Sequence, residues 1–152
     1  MLNRDFKEFI ASLNESEVRY LVVGGYALAF HGHPRYTKDL DVWIWSDSSN
    51  AERVVAALAA FGFESLGLSA EDFLEPDQVI QLGYPPNRID LLTSIAGVSF
   101  AESYPSRVTV DIGGVPVDFI DLANFKRNKA AAGRLQDLAD LEELGGPDPS
   151  NS

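Results

Sequence analysis

Two aspartates stand two positions apart in the run KDLDVWIW, residues 38–45, amid strand-forming apolar bulk. Strand side chains alternate between faces, so Asp39, Asp41, Trp43 and Trp45 share one face and Leu40, Val42 and Ile44 line the other. Neither face is plainly solvated. An ionised acid taken out of water without a partner costs several kcal/mol, so a cation is expected beside this pair. The two Cα atoms would lie about 6.6 Å apart, close enough for both carboxylates to converge on one or two small ions. At about 6 Å and an effective dielectric near 20 their repulsion is on the order of 3 kcal/mol, which a divalent cation reverses. Repulsion of that size predicts that Asp39→Asn leaves the metal-free chain no less stable. Oxygen-only ligands favour Mg2+ or Mn2+ over zinc. The chain has no cysteine, which removes thiolate ligands and thiol nucleophiles, and His31 and His33 form an H-x-H pair with no further ligands.

A second feature precedes the acids. The run RYLVVGG, residues 19–25, reads as a buried strand ending in Gly24 and Gly25, with a short helix over residues 26–31 behind it. A tight diglycine junction between strand and helix lets backbone N–H groups and the helix dipole face an anion, and phosphate is the natural guest. No Gly-Lys-Ser/Thr follows, so this is not a Walker A loop.

Val23-Gly24-Gly25, thirteen residues, then Asp39-Leu40-Asp41-Val42 resembles the signature of the nucleotidyltransferase superfamily typified by DNA polymerase β. The resemblance extends over roughly residues 18–145. It implies an α/β (α+β) nucleotidyltransferase fold, a mixed β-sheet flanked by helices. It also implies a third carboxylate on a neighbouring strand between apolar residues. Ile89-Asp90-Leu91 and Val117-Asp118-Phe119 both fit, with Asp90 favoured. The stretches RIDLLTSIAGVSF and FKRNKAAAGRLQDLAD resemble small bacterial nucleotidyltransferases related to abortive-infection toxins and antitoxins.

In that resemblance Asp39, Asp41 and Asp90 are the catalytic acids and the ligands of Mg2+ or Mn2+, with Gly24 and Gly25 beside a nucleoside triphosphate. Lys129 and Arg134 are candidates for its phosphate tail. Arg35 and Thr37 flank the acids as supporting groups. The implied reaction moves a nucleoside monophosphate to a hydroxyl of a protein, an RNA or a small molecule and releases pyrophosphate. The alternative is a catalytically silent nucleotide- or partner-binding module of a toxin–antitoxin pair, and a partner protein fits either case.

Composition bounds the rest. A chain of 152 residues reads as one domain over residues 1–145, with GPDPSNS supplying a disordered tail over 146–152. A net charge of −11 argues against broad grip on duplex nucleic acid, although residues 122–136 carry Lys126, Arg127, Lys129 and Arg134 without an acid. The polar start and the shortness of every apolar run predict a cytoplasmic protein with no membrane span.

The remaining elements position the acids. Phe6, Phe9, Ile10 and Leu13 recur at helical spacing in a first amphipathic helix. A helix over residues 51–61 ends at Gly62, and residues 63–66 read as a short strand. Residues 79–92 read as a hairpin through YPPN, and Gly113-Gly114 joins a second hairpin. Asp121 caps a helix reaching Ala132 that Gly133 ends, and a last helix covers 135–144.

Overall fold

The computed structural model describes residues 2–32, 39–83 and 88–147. Among these, six strands form one mixed sheet in the order β3-β4-β2-β1-β6-β5: β1 Tyr20–Val23, β2 Leu40–Ile44, β3 Val79–Leu82, β4 Ile89–Leu92, β5 Val108–Ile112 and β6 Val115–Phe119. Strands β3 and β4 form the first hairpin and β5 and β6 the second, both antiparallel. The central joins are of two kinds, β1 antiparallel to β2 and β2 parallel to β4.

Among the described residues six α-helices accompany the sheet: α1 Arg4–Glu15, α2 Gly24–Phe30, α3 Ser48–Phe61, α4 Phe100–Ser103, α5 Leu122–Ala132 and α6 Leu135–Glu143. The apolar stripe of α1 is buried throughout, at Phe6, Phe9, Ile10 and Leu13. Phe9 meets Phe61 of α3 edge-on at 5.3 Å. Each such side chain contributes roughly 1.5–3 kcal/mol on leaving water, so this pair of helices anchors the sheet. The N-cap of α1 is Asn3, whose side chain accepts from Phe6 N, and the N-cap of α5 is Asp121, which accepts from Asn124 N. Gly62 and Gly133 close α3 and α5 in the left-handed conformation.

The buried polar Asn50, in the first turn of α3, ties the start of that helix to the sheet. Its side chain accepts from Arg19 N at 2.7 Å and donates to the carbonyls of Arg19 and Trp45. Phe100 plugs the core, with its ring edge-on to both Trp43 and Trp45. His31 is a packing residue, with Nε2 at 2.8 Å from the Ile120 carbonyl and its ring stacked on Phe125.

Two expectations change. Residues 63–66 are not a strand: Glu64–Leu66 is a turn of 3-10 helix ended by Gly67 at φ 67°. The strand carrying the acids begins at Leu40, which leaves Asp39 just ahead of it. Among the described residues no helix is long and apolar enough to cross a membrane.

Candidate active site

The parallel register of β2 with β4 sets Asp41 directly beside Asp90. Asp41 is also opposite Val23 on β1 and Asp90 opposite Gln81 on β3, so the two acids occupy the middle of one row across four strands. Gly24 follows Val23 at φ 68°, and a Cβ on it would collide with Oδ2 of Asp41. The glycine is required twice, by its backbone angle and by the carboxylate lying where a side chain would go. The diglycine junction and the second acid are therefore one structural unit.

Asp90 is buried and Asp41 partly so. Burial first, then the charges of Asp90 and Asp39, push the Asp41 carboxyl up to about 7, with the Arg88 guanidinium working in the opposite direction. Among the described residues Arg88 is the cation of the cluster. Its Nη2 donates to Asp39 Oδ2 at 2.7 Å, and it reaches Asp90 with Nη2 to Oδ2 at 3.4 Å and Nε to Oδ1 at 3.3 Å. The last pair attract as charges but are too poorly aligned to bond, so Arg88 Nε and Asp90 Oδ1 are both buried without a hydrogen bond. The cluster thus has one well-made ion pair, one strained one and an acid with a raised pKa.

Asp118 is a different kind of site. It lies on β6, separated from β2 by β1, and accepts from Thr109 Oγ1 with Arg107 Nε at 3.8 Å. Of the two candidates for a third acid, only Asp90 is beside Asp41.

Two solved structures share this arrangement of strands and helices. A provisionally assigned nucleotidyltransferase from Thermotoga maritima superposes with a TM-score of 0.62 at 14% identity, covering 92% of this chain and 89% of that one. An antigenic nucleotidyltransferase-like protein from Paracoccidioides brasiliensis gives a TM-score of 0.52 at 15% identity, covering 94% and 75%. The chain has the nucleotidyltransferase fold. No family model matches its sequence, and no curated protein does.

Within the nucleotidyltransferase fold the other cations expected near phosphate are differently placed. Lys129 is buried in the α5–α6 pair, with Nζ at 3.3 Å from Asp137 Oδ1 and 3.0 Å from Asp140 Oδ2. Arg134 bonds Asp137 through Nε at 2.7 Å while most of its side chain stays in solvent. Burial works against the charge of Asp137, but Arg134 and Lys129 together hold its carboxyl below the usual carboxylate range. Lys129, a candidate for the phosphate tail, has its ammonium engaged by two buried carboxylates. Arg134 also serves that cluster. Arg35 and Thr37 lie outside the described residues.

Arg88 is the residue of the cluster that the motifs did not single out. The available signal was its position two residues before Asp90, which on an extended chain gives both side chains the same face. Among the described residues no group of three His, Cys, Asp or Glu side chains gathers closely enough to hold an ion together. The expected convergence of Asp39, Asp41 and Asp90 on one point is replaced by a cluster with Arg88 between Asp39 and Asp90.

Proposed function

We propose that the chain is a metal-dependent nucleotidyltransferase that moves a nucleoside monophosphate from a nucleoside triphosphate to a hydroxyl and releases pyrophosphate. The observation that carries this reading is the in-register Asp41–Asp90 pair, seated against Gly24 at the strand-to-helix junction of a nucleotidyltransferase fold.

The donor types, if not their present spacing, suit a hard divalent cation. The donors are all carboxylate oxygens, Asp90 Oδ1 is buried without a hydrogen bond, and a guanidinium already sits as a stand-in cation. Asp39, Asp41 and Asp90 would hold Mg2+ or Mn2+. When bound, such an ion neutralises triphosphate charge and lets Asp41 ionise at neutral pH.

The protein's share of the chemistry is positioning and charge. Asp90 accepts the proton of the attacking hydroxyl, whose oxygen forms a bond to the α-phosphorus. The bond from that phosphorus to its bridging oxygen breaks, and pyrophosphate leaves with the electron pair. Gly24 keeps the strand-to-helix junction close against Asp41, where any side chain would push the carboxylate away. The acceptor class is a protein side chain, an RNA end or a small molecule. The net charge of −11 disfavours broad duplex binding.

The test is incubation with α-labelled triphosphates, Mg2+ or Mn2+ and cell extract, beside Asp41→Asn. Label on an acceptor with the wild type alone supports transfer, and equal labelling by both proteins overturns the site. A second reading is favoured by the Arg88 pairing, which leaves Asp39 engaged: a catalytically silent nucleotide- or partner-binding module of a toxin–antitoxin pair. A stoichiometric protein partner in a pull-down, with no label transferred, would select it.

A further inference from the structure

The cation that the acid cluster holds comes from the chain itself. Arg88 stands immediately before β4, two residues from Asp90, and closes on Asp39 at 2.7 Å while reaching Asp90 less well. A guanidinium keeps its charge at any physiological pH and presents a planar fork that suits a carboxylate or a phosphate equally. Its pairing with Asp90 is imperfect on both sides, since Arg88 Nε and Asp90 Oδ1 each lack a hydrogen bond. Arg88 is also partly open to solvent, with 31% of its side chain exposed. A cation that is charged, half-satisfied and able to leave has the properties of a placeholder.

Resting on the proposed transferase reading, we propose that Arg88 is a displaceable counter-ion. It occupies the acids when no divalent cation is present, yields them when one enters, and then serves as a ligand for the triphosphate. Two carboxylate oxygens on one Mg2+ lie no more than about 4.2 Å apart, because each bond is about 2.1 Å. Arg88 Nη2 donates to Asp39 Oδ2 and Asp90 Oδ2 at once, so an ion shared by those two oxygens must take the place of the guanidinium, and among the described residues no three acids gather around a common point. The entering ion carries two charges against one for Arg88, so it wins the acids and frees a fork for phosphate oxygens beside them. Arg88 is thereby a positioning residue that couples ion binding to triphosphate binding.

Calorimetry and melting temperature on the full chain test this with Mg2+ alone and with inorganic tripolyphosphate at saturating Mg2+. Arg88→Gln is expected to melt lower without metal, to bind Mg2+ at least tenfold more tightly than wild type, and to bind tripolyphosphate at least tenfold more weakly. A residue with a merely structural role would not move the two affinities in opposite directions. If Arg88→Gln does not fold, Arg88→Lys, which keeps the charge but gives up the fork, is expected to show smaller shifts in the same two directions. Unchanged or weaker Mg2+ binding in the variants, with binding by the wild type, overturns the placeholder and leaves the transferase reading standing. Unchanged tripolyphosphate affinity overturns the handover to phosphate. Failure of every form to bind Mg2+ overturns both proposals.

Discussion

Arg88 Nη2 lies 2.7 Å from Asp39 Oδ2, so the first acid of the D-x-D run is already paired across 49 residues of chain. Repulsion from Asp41 alone predicted that neutralising Asp39 would do no harm. The ion pair reverses that sign. Asp39→Asn is expected to cost the metal-free protein about 0.5–1 kcal/mol, the range for a pair that keeps some contact with water. Urea denaturation without divalent ions measures it, and a gain in stability would show that repulsion outweighs the pairing.

Asp41 makes the metal-free protein sensitive to pH near neutrality. In the unfolded chain its carboxyl titrates near 3.8, and in the folded chain near 7. Between those values the folded state holds a proton that the unfolded state has released. The resulting stability is fully present below 3.8 and is lost as pH rises through about 7, a fall on the order of 2–4 kcal/mol. Chemical denaturation from pH 5 to 8 in a chelator is expected to show this slope in the wild type and a flatter profile in Asp41→Asn. Parallel profiles would place the titration elsewhere.

Gly24→Ala is expected to damage the site more than the fold. Its backbone angle costs an L-residue roughly 1–2 kcal/mol, and the new methyl group must displace the Asp41 carboxylate. The expected result is a modest loss of melting temperature with at least a tenfold weaker response to Mg2+. A full Mg2+ response in this variant would mean that Asp41 has room to move.

Asp90→Asn is expected to lower nucleotide transfer at least a hundredfold, whereas Asp118→Asn leaves it within a few-fold of wild type, because only Asp90 lies in register with Asp41. Single-turnover rates with labelled triphosphate check the pair. The opposite ranking would move the third acid to β6.

Lys129→Ala is expected to cost about 3–5 kcal/mol, since it strands two buried carboxylates, Asp137 and Asp140, without their shared cation. Arg134→Ala, at a largely exposed side chain, is expected to cost no more than about 1 kcal/mol. Equilibrium unfolding distinguishes the two, and near-equal effects would refute the division between them.

What could be read from the residues was mostly local. Gly62, Gly133 and Asp121 end or begin helices by conformational rules that act within a turn, and the bounds they predicted agree with α3 and α5. Gly113-Gly114 joined β5 to β6 as expected. Of the two strands that carry a candidate third acid, β4 and β6, the sheet order puts only β4 beside β2. Ion pairing was not legible. Lys129 resembled a phosphate ligand because nothing in its own segment is acidic. Its partners arrive from α6 after the Gly133 turn, at Asp137 and Asp140. Arg88 does not reveal its role in the sequence for the same reason, since its best contact is with Asp39, 49 residues earlier and just ahead of β2. Residues 63–66 misled because Phe63 and Leu66 supply apolar weight without a strand to pair with.

The strands bearing Asp41 and Asp90 run in the same direction, so no tight turn can bring them together, and α3 and the β3 hairpin must be spanned first. Joins between such remote segments form late in folding, after the entropy of a long loop has been overcome. A chain still emerging from the ribosome therefore has one half of the acid pair and not the other. Whatever reactivity resides there is withheld until synthesis has passed β4 and the sheet has closed.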